Sequence, residues 1–294
     1  MIDPAILAAI PGAVESVEPL PGGLTNDNRK VTTDAGCFVV RTWSDDTGLL
    51  SIDREHERVN SERAAATGVG PPLVAHLPEH NTMVFAFLEG QTLSAEDLRT
   101  GAHLDAVATA CRTLHTAEPF AGDFDMLALQ PRYREIVHER GFRVPDRYDD
   151  FAPQVEAIAA ALRARPEPRV PCNNDLLAEN FILDGDRVRI IDYEYGGNNE
   201  ASFELGNVWS ESDLSLAQLE ALTTAYWREP RPDKVARARL WGLMSKYGWT
   251  LWASIQDGVS TIDFDFWAWG LEKHHRAVAE FEDPGFGALL DAVR

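Results

Sequence analysis

Lysine is scarce in this chain of 294 residues, because it occurs only as Lys30, Lys234, Lys246 and Lys273. Arginine supplies most of the 27 basic side chains, and the 47 acidic residues give a formal net charge of −20. A protein that binds nucleic acid needs surplus Lys and Arg to neutralise phosphates, so the charge balance excludes that class of partner. A negative field would assist the approach of a cationic small substrate, although an acidic surface also serves solubility alone.

Long apolar runs are also missing, since no stretch approaches the roughly 18 apolar residues that a membrane span needs. The N-terminal run "PAILAAIPGAV" (4–14) has no basic residue before it and no small-residue cleavage site, so we expect a helix or entry turn rather than a signal peptide. Cysteine is limited to Cys37, Cys111 and Cys172, an odd number without metal-ligand spacing. This predicts reduced thiols in a cytoplasmic protein.

The first ninety or so residues are typical of strands. "CFVVRTW" (37–43) and "NTMVFAFLEG" (81–90) are β-branched and aromatic runs. "GGLTNDNRKVTT" (22–33) contains a Gly-Gly turn and an "NDN" that we expect to join two strands. Between them, residues 51–73 mix charged and apolar residues at helical spacing and end at Gly68, Gly70 and Pro71. This part predicts a small antiparallel sheet with one helix inserted after its third strand.

From about residue 90 the patterns become helical. Residues 103–117 are amphipathic and 149–165 form a second such segment, whereas 181–192 predict two short strands around an Asp-Gly turn. The remainder, 214–293, predicts three or four helices rich in Trp. We therefore expect an α+β chain of two lobes, a small β-rich one over residues 1–88 and a larger helical one over 89–294. The apolar face of the first helix is formed by Leu104, Val107, Ala108, Cys111 and Leu114.

The segment "PCNNDLLAEN" (171–180) has the spacing of a kinase catalytic loop, because Asn180 follows Asp175 by five positions. In such loops the Asp takes a hydroxyl proton and the Asn holds magnesium. Asp192 ends the apolar strand "RVRIID" and would supply a second oxygen ligand for that ion. Asp–Asn pairs also occur by chance in an acidic chain, but the hairpin and the terminal Asp192 together favour the catalytic loop.

Upstream residues could contact the phosphates of a nucleotide. A loop of Gly22, Gly23, Thr25 and Asn26 would let backbone N–H groups approach an anion, although a two-glycine turn is usually only a turn. Arg41, one strand later, could lie under the phosphates as a fixed cation. Glu57 on the following helix could hold that arginine, although a surface ion pair or no contact is the default for a single Arg/Glu pair.

Over nearly its whole length the sequence resembles the choline/ethanolamine kinase family, part of the aminoglycoside-phosphotransferase-like group. "NNDLLAENFIL" and "VRIIDYEYGGNNEASFELGN" carry the resemblance most specifically, since "DYEY" stands where protein kinases have Asp-Phe-Gly. "PGGLTNDN", "VVRTW", "DREHE" with "GVGPPLV", and "FLEGQTL" resemble the family's phosphate loop, Arg-bearing strand, Glu-bearing helix and interlobe segment.

The resemblance implies a protein-kinase-like two-lobe fold that binds ATP and Mg2+, with the nucleotide-binding lobe at 1–88 and the catalytic and substrate-binding lobe at 89–294. It implies that Asp175 is the base, that Asn180 and Asp192 hold magnesium, and that Arg41 with Glu57 orients the phosphates. The nucleotide would further contact Gly23, Thr25 and Asn26 and the backbone around Ala86 and Leu88.

The C-terminal region matches the family's pocket for the substrate ammonium group. Trp249 and Trp252, three apart on a predicted helix, share a face. Aromatic faces attract a quaternary ammonium by ~0.5–2 kcal/mol each. Trp-rich helices are more often core than cage, and we expect Trp241, Trp267 and Trp269 to be core or partly surface. The positions that the resemblance assigns to the pocket are Glu194, Tyr195, Glu211, Trp249, Trp252 and Phe266.

Three positions depart from the family pattern. Asn173 replaces a His, and we expect its amide to substitute partly as a scaffold, with reduced loop rigidity but not lost chemistry. Asn198 and Glu200 replace Tyr, which with Phe266 predicts a less aromatic pocket. His115 lies outside the constellation, and we expect it to be structural.

These observations predict an ATP- and Mg-dependent kinase that phosphorylates the hydroxyl of choline or a related amino alcohol such as ethanolamine. An aminoglycoside or amino-sugar kinase of the same fold is one alternative, favoured by the acidic charge. A catalytically silent pseudokinase that binds nucleotide or a cation is another. The expected partner is a small cationic molecule that bears a hydroxyl, and the sequence leaves a monomer and a homodimer open.

Overall fold

The computed structural model describes residues 2–294, without the side chains of residues 45–47. Its N-terminal part contains β1 (Val14–Pro19), β2 (Asn26–Thr33), β3 (Gly36–Trp43), β4 (Leu73–Leu77) and β5 (Thr82–Ala86). They form one antiparallel sheet of five strands in the order β1-β2-β3-β5-β4. Helix α1 (Pro4–Ala8) precedes the sheet, and α2 (Arg54–Ala66) lies between β3 and β4. The prediction of a small antiparallel sheet with one helix after its third strand is therefore confirmed.

Two turns differ from their predictions. The "NDN" segment does not join two strands, because Asn26, Asp27 and Asn28 begin β2 and pair with β3. The connection lies before it, at the glycine pair, where Gly22 adopts a φ of +98° that glycine tolerates best. In the later hairpin the two-residue loop is Gly185–Asp186 rather than Asp-Gly, because Asp184 still pairs with Arg187.

Short strands position the polar loops of the C-terminal part. They are β6 (Gln91–Thr92), β7 (Arg169–Cys172), β8 (Phe181–Asp184), β9 (Arg187–Ile190) and β10 (Gly197–Glu200). A sheet of three strands has the order β6-β8-β9, and β7 pairs with β10. The loop 173–180 therefore starts where β7 ends, and Asp192 lies two residues beyond the end of β9. The division of the chain at residue 88 stays a prediction.

Helices make up the rest of the C-terminal part. They are α3 (Ala95–Arg99), α4 (Leu104–Leu114), α5 (Met126–Arg140), α6 (Ala152–Ala164), α7 (Ala201–Glu211), α8 (Leu216–Trp227), α9 (Pro232–Val259), α10 (Phe266–Phe281) and α11 (Phe286–Asp291). Helices α4 and α6 confirm the segments predicted at 103–117 and 149–165, and four helices follow Leu214 as expected. Among the described residues, no helix combines the length and the hydropathy that a membrane crossing requires.

Helix α9 is the centre of the C-terminal core and packs against α5, α7 and α10. It lies so close to α7 that a Cβ atom on Gly206 would approach the carbonyl oxygen of Ala238 to 2.1 Å. Only glycine fits this crossing, because the backbones of the two helices are in close contact there. The buried face of α9 runs from Ala236 to Gln256 almost without a break.

Candidate active site

A cleft of about 290 Å³ lies between the five-stranded sheet and the C-terminal part. Most residues predicted to contact a nucleotide and its metal line it together: Gly22, Gly23, Arg41, Ala86, Leu88, Asn180 and Asp192. Thr25 and Asn26 are not in this set, because they line a neighbouring cleft of about 510 Å³ with Trp43 and Gln256. The glycine pair, but not the residues that follow it, is thus placed at the predicted nucleotide site.

Arg41 on β3 joins three separate segments through one guanidinium nitrogen. Its Nη1 donates to Glu57 Oε1 of α2 at 2.9 Å and to Asp192 Oδ1 at 2.6 Å. Burial opposes the charge of Arg41, but Asp192, Glu57 and Glu194 outweigh that effect and raise its pKa. The pair predicted from sequence is therefore a buried ion pair, and it holds the strand, the helix and the loop after β9 together.

Arg54, which the sequence reasoning missed, extends this network. Its Nη1 donates to Glu57 Oε2 at 2.6 Å and to Glu194 Oε2 at 3.3 Å, and its Nη2 donates to Asn26 Oδ1 at 3.0 Å. Asn26 Nδ2 also donates to Glu194 Oε2 at 2.9 Å. The side chain of Asn26 therefore orients Glu194. A signal was available, because an Arg three residues before a helical Glu shares its face.

Helix α7 fixes the backbone of the loop after β7. Both carboxylate oxygens of Glu204 accept backbone N–H groups, from Asn173 and Asn174, at 2.8 Å each. Asn174 has a φ of +69°, a conformation that costs energy and persists only where contacts enforce it. Asn180 Nδ2 donates to the carbonyl oxygen of Asp175 at 2.7 Å, which leaves Oδ1 as its remaining polar atom.

Asn173 makes the backbone contacts expected of the scaffold position. Its Nδ2 donates to the carbonyl oxygens of Ile191 and Asp192 at 3.1 and 2.7 Å. Its Oδ1 accepts the N–H of Asp175 at 3.1 Å. One amide therefore ties the loop to the strand that carries Asp192, while the effect of this residue on turnover stays a prediction.

Burial and neighbouring carboxylates raise the pKa values of Asp175 and Glu194. Burial raises the pKa of Asp175 well above its ordinary value, and the charges of Asp192, Glu211 and Glu194 add to that effect. Burial and Asp192 raise the pKa of Glu194 to about 7, against the opposite effect of Arg54. A carboxylate with a raised pKa is a stronger proton acceptor, which suits a general base.

The predicted aromatic positions form one cluster. The ring centroid of Trp249 is 4.9 Å from that of Tyr195 and 6.4 Å from that of Trp252, and Trp252 is 5.8 Å from Phe266. Trp252 Nε1 donates to Tyr195 Oη at 2.8 Å. Trp269, which we expected to be core or partly surface, is half-buried and lies 5.6 Å from Trp252. The predicted rings contact one another and are buried. They therefore belong to the core as well as to the predicted pocket.

Glu211 is held by a lysine that the sequence reasoning did not single out. Lys273 on α10 donates from Nζ to Glu211 Oε2, and both side chains are almost fully buried. Glu211 also contributes to the raised pKa of Asp175, whereas Lys273 lowers it. The pair therefore lies within electrostatic range of the predicted base.

The two positions where the family has Tyr have side chains engaged elsewhere. Asn198 Nδ2 donates to the carbonyl oxygens of Phe120 and Gly122 at 2.7 Å each. Glu200 accepts from Arg237 and from Trp241 Nε1 at 2.7 Å. Both residues thus fix β10 against its neighbours.

His115 also makes structural contacts. Its Nδ1 lies 2.6 Å from Tyr226 Oη, and its Nε2 lies 3.6 Å from Cys172 Sγ and 3.8 Å from a Glu204 oxygen. Its ring packs beneath the loop that begins after β7. The expectation of a structural histidine fits these contacts.

Comparison with known proteins identifies a family model and individual relatives that match this chain. The family model described as choline/ethanolamine kinase matches residues 17–224, which is most of the chain. The chain belongs to the choline/ethanolamine kinase family. It is 29% identical over 261 residues to ethanolamine kinase 2 of Rattus norvegicus, a match that covers 78% of this chain and 66% of that protein. The chain thus spans slightly less than two thirds of that relative's length.

Solved structures of this family have the same fold. A choline/ethanolamine kinase family protein from Mesorhizobium loti superposes with a TM-score of 0.86 at 32% identity, covering 99% of this chain and 97% of that one. Choline kinase LicA from Streptococcus pneumoniae superposes with a TM-score of 0.78 at 23% identity, covering 97% of each chain. The predicted α+β, protein-kinase-like fold and the resemblance to this family are confirmed.

Proposed function

We propose that the protein is an ATP- and Mg-dependent kinase that transfers the γ-phosphate to the hydroxyl of a small amino alcohol of the choline and ethanolamine class. The observation that carries the proposal is the assembly of Arg41, Asn180 and Asp192 around one cleft, with Asp175 within electrostatic range of Asp192 and of Tyr195 in the aromatic cluster. Membership of the choline/ethanolamine kinase family supports the same reaction.

The residues at the cleft fit a nucleotide with its magnesium ion. Magnesium prefers oxygen ligands and keeps several waters. Asn180 has Oδ1 free of its bond to Asp175, and Asp192 engages Arg41 with only one of its two carboxylate oxygens. These two side chains would hold the ion. When bound, ATP would supply the phosphoryl group, and the magnesium ion would neutralise charge that develops on the phosphate oxygens.

Asp175 would accept the proton of the substrate hydroxyl. Its raised pKa results from burial and from three neighbouring carboxylates, and a bound cation would lower that pKa towards the working range. Asn173 Oδ1 accepts the backbone N–H of Asp175, and Glu204 accepts the N–H groups of the two preceding residues, so the carboxylate is positioned before the substrate arrives. Arg41 would orient the phosphates as a cation whose own position is fixed by Glu57.

The amino group would bind on the side of α9. Tyr195, Trp249, Trp252 and Phe266 offer ring faces, and Glu194 and Glu211 offer negative charge. Both features attract an organic ammonium in a site with little water. The overall charge of −20 would attract the same cation from solution.

Release of ADP tests the proposal. The protein is incubated with Mg-ATP and, separately, ethanolamine, choline, kanamycin or glucosamine, and we expect acceleration by the amino alcohols alone. If only kanamycin or glucosamine accelerates ADP release, the protein is instead an aminoglycoside or amino-sugar kinase. Thermal stabilisation by Mg-ATP without turnover on any acceptor would instead indicate a pseudokinase.

A further inference from the structure

Two of the four lysines of this chain are buried in the C-terminal helices, Lys246 at 2% and Lys273 at 3% exposure. Lysine is almost never fully buried unless it is paired. Lys273 has such a partner in Glu211, and their side chains are 3% and 2% exposed. A buried ammonium beside a predicted ammonium pocket needs a functional account, because it would compete with the substrate for the same charge and the same rings.

Lys273 occupies a ring face at one end of the aromatic cluster. Its Nζ lies 3.9 Å from the ring centroid of Trp269, and that ring lies 5.6 Å from Trp252. The distance is typical of a cation–π contact. The chain thus places its own ammonium where the cluster meets Glu211, and a second cation that enters there meets a like charge at low dielectric.

Glu211 nevertheless has an oxygen left for a ligand. Oε2 accepts from Lys273, but Oε1 is buried and has no hydrogen-bond partner among the described residues. A buried acceptor without a partner lowers stability, and a ligand with an N–H group would satisfy it. Trp249 Nε1 in the same region is likewise a buried donor without a partner in the described part of the chain.

We propose that the Glu211–Lys273 pair makes the site selective for an ammonium group that carries N–H bonds over a trimethylated one. This inference rests on the proposed amino-alcohol kinase activity. A primary ammonium can donate to Glu211 Oε1 and so offsets its repulsion from Lys273. A trimethylammonium has no hydrogen to donate, so it meets the repulsion and leaves Oε1 unpaired.

The test is a methylation series. Values of kcat/KM are measured with ethanolamine, its N-methyl and N,N-dimethyl derivatives, and choline. We expect a fall along the series that reaches about tenfold or more at choline, because a site built for a hydrogen bond rejects the analogue that lacks it. Equal or higher values for choline in the unaltered protein would overturn the inference.

Variants locate the selectivity in the pair. Lys273→Met removes the charge and keeps an unbranched chain, and we expect it to bring the choline and ethanolamine values to within about threefold by improving choline. Glu211→Gln should lose ethanolamine more than choline. Lys234→Met is the control, a lysine of α9 that pairs with Glu167 and lies 5.7 Å from the ring centroid of Trp227 instead, and its ratio should stay that of the unaltered protein.

The outcomes separate this inference from the proposed function. Absence of ADP release with all four amines overturns the proposed function and the inference with it. ADP release with an unchanged ratio in Lys273→Met overturns the inference alone. Melting temperatures establish that each variant is folded. If Lys273→Met is unfolded, Lys273→Gln and the series on the unaltered protein decide the question.

Discussion

The two sides of the candidate site are each built around a buried ion pair, but the pairs connect different parts of the fold. On the phosphate side, Arg41 bonds Glu57 and Asp192, so it joins a strand, a helix and the loop after β9. On the amine side, Lys273 and Glu211 join two helices of the C-terminal part. The first pair fixes the cleft between the sheet and the helices, whereas the second borders only the proposed amine pocket.

The two ion pairs therefore differ in what the loss of one partner would affect. Removing one partner of a buried pair typically costs 3–5 kcal/mol, because the other charge is left uncompensated. On the phosphate side the loss of Arg41 would also release Glu57 and Asp192 from β3. On the amine side the loss of the lysine would carry a similar cost, because it leaves the buried Glu211 uncompensated, but it would alter which ammonium group binds and not the cleft. Arginine suits the first role because its planar fork can bond several carboxylates, and lysine suits the second as a compact point charge.

Asp175 is within electrostatic range of both sides, of Asp192 on one and of Glu211 on the other, and as the proposed base its loss should affect every substrate equally. We expect Asp175→Asn to lower kcat by about 10²–10⁴, the usual contribution of a positioned general base. Stabilisation of the variant by Mg-ATP in a thermal melt should persist, since the nucleotide contacts remain. A kcat within about tenfold of the unaltered value would remove Asp175 from the role of base.

Arg41 tests the phosphate side alone. We expect Arg41→Gln to raise the KM for ATP by about tenfold or more, with the KM for the amine nearly unchanged, because each charge-assisted bond contributes about 1.5–3 kcal/mol. Arg29→Gln is the control, because this arginine on the neighbouring strand pairs with an exposed Asp27. A rise in the amine KM instead would show that the two sides are not separable.

Lys246 tests the cost of buried lysine on the amine side. Burial lowers its pKa from 10.5 to about 8, so the folded state binds fewer protons than the unfolded chain between these pH values. Stability should therefore rise as pH increases from about 8 to 10.5, and the charged side chain should cost stability below about pH 8. Lys246→Met should raise the free energy of unfolding at pH 7 by up to roughly 3 kcal/mol.

Chemical denaturation of both proteins at pH 7 and pH 10.5 measures this effect. The advantage of the variant should shrink towards the higher pH, where the unaltered lysine is neutral in the folded state and half-protonated in the unfolded chain. Lys30→Met controls for the general effect of removing one positive charge. A Lys246→Met variant that is less stable at pH 7 would show that the contact with Trp209 outweighs the burial cost.

Asn173 should give the smallest effect. Its amide already bonds both backbone carbonyls beside Asp192, so Asn173→His should change kcat by less than about tenfold. Steady-state turnover with the preferred amine is the measurement. A rise of several orders of magnitude would mean that the natural loop is disabled.

The phosphate side was more predictable from sequence than the amine side. Asp175, Asn180 and Asp192 lie within one short strand–loop–hairpin segment, so their proximity follows from local geometry. Arg41 and Glu57 lie on consecutive elements, and their pairing needed only the helix after β3. Lys273 was missed because its contact with Glu211 spans 62 residues and depends on how α10 packs beside α7.

The other misses have similar causes. The position of Asn26 was mistaken because a polar "NDN" run is typical of turns, whereas its pairing with β3 makes it the start of a strand. Trp269 was not assigned to the cluster because a Trp-rich helix does not reveal which rings face a neighbouring helix. Tertiary packing decides both cases.

The initial rate of ADP formation with Mg-ATP and ethanolamine, compared with choline and with no acceptor, tests the central claim most directly. We predict a rate well above the acceptor-free background that depends on Mg2+, falls by about 10² or more in Asp175→Asn and is higher with ethanolamine than with choline. A rate that neither amine raises above the background, in protein that Mg-ATP stabilises against heat, would contradict it.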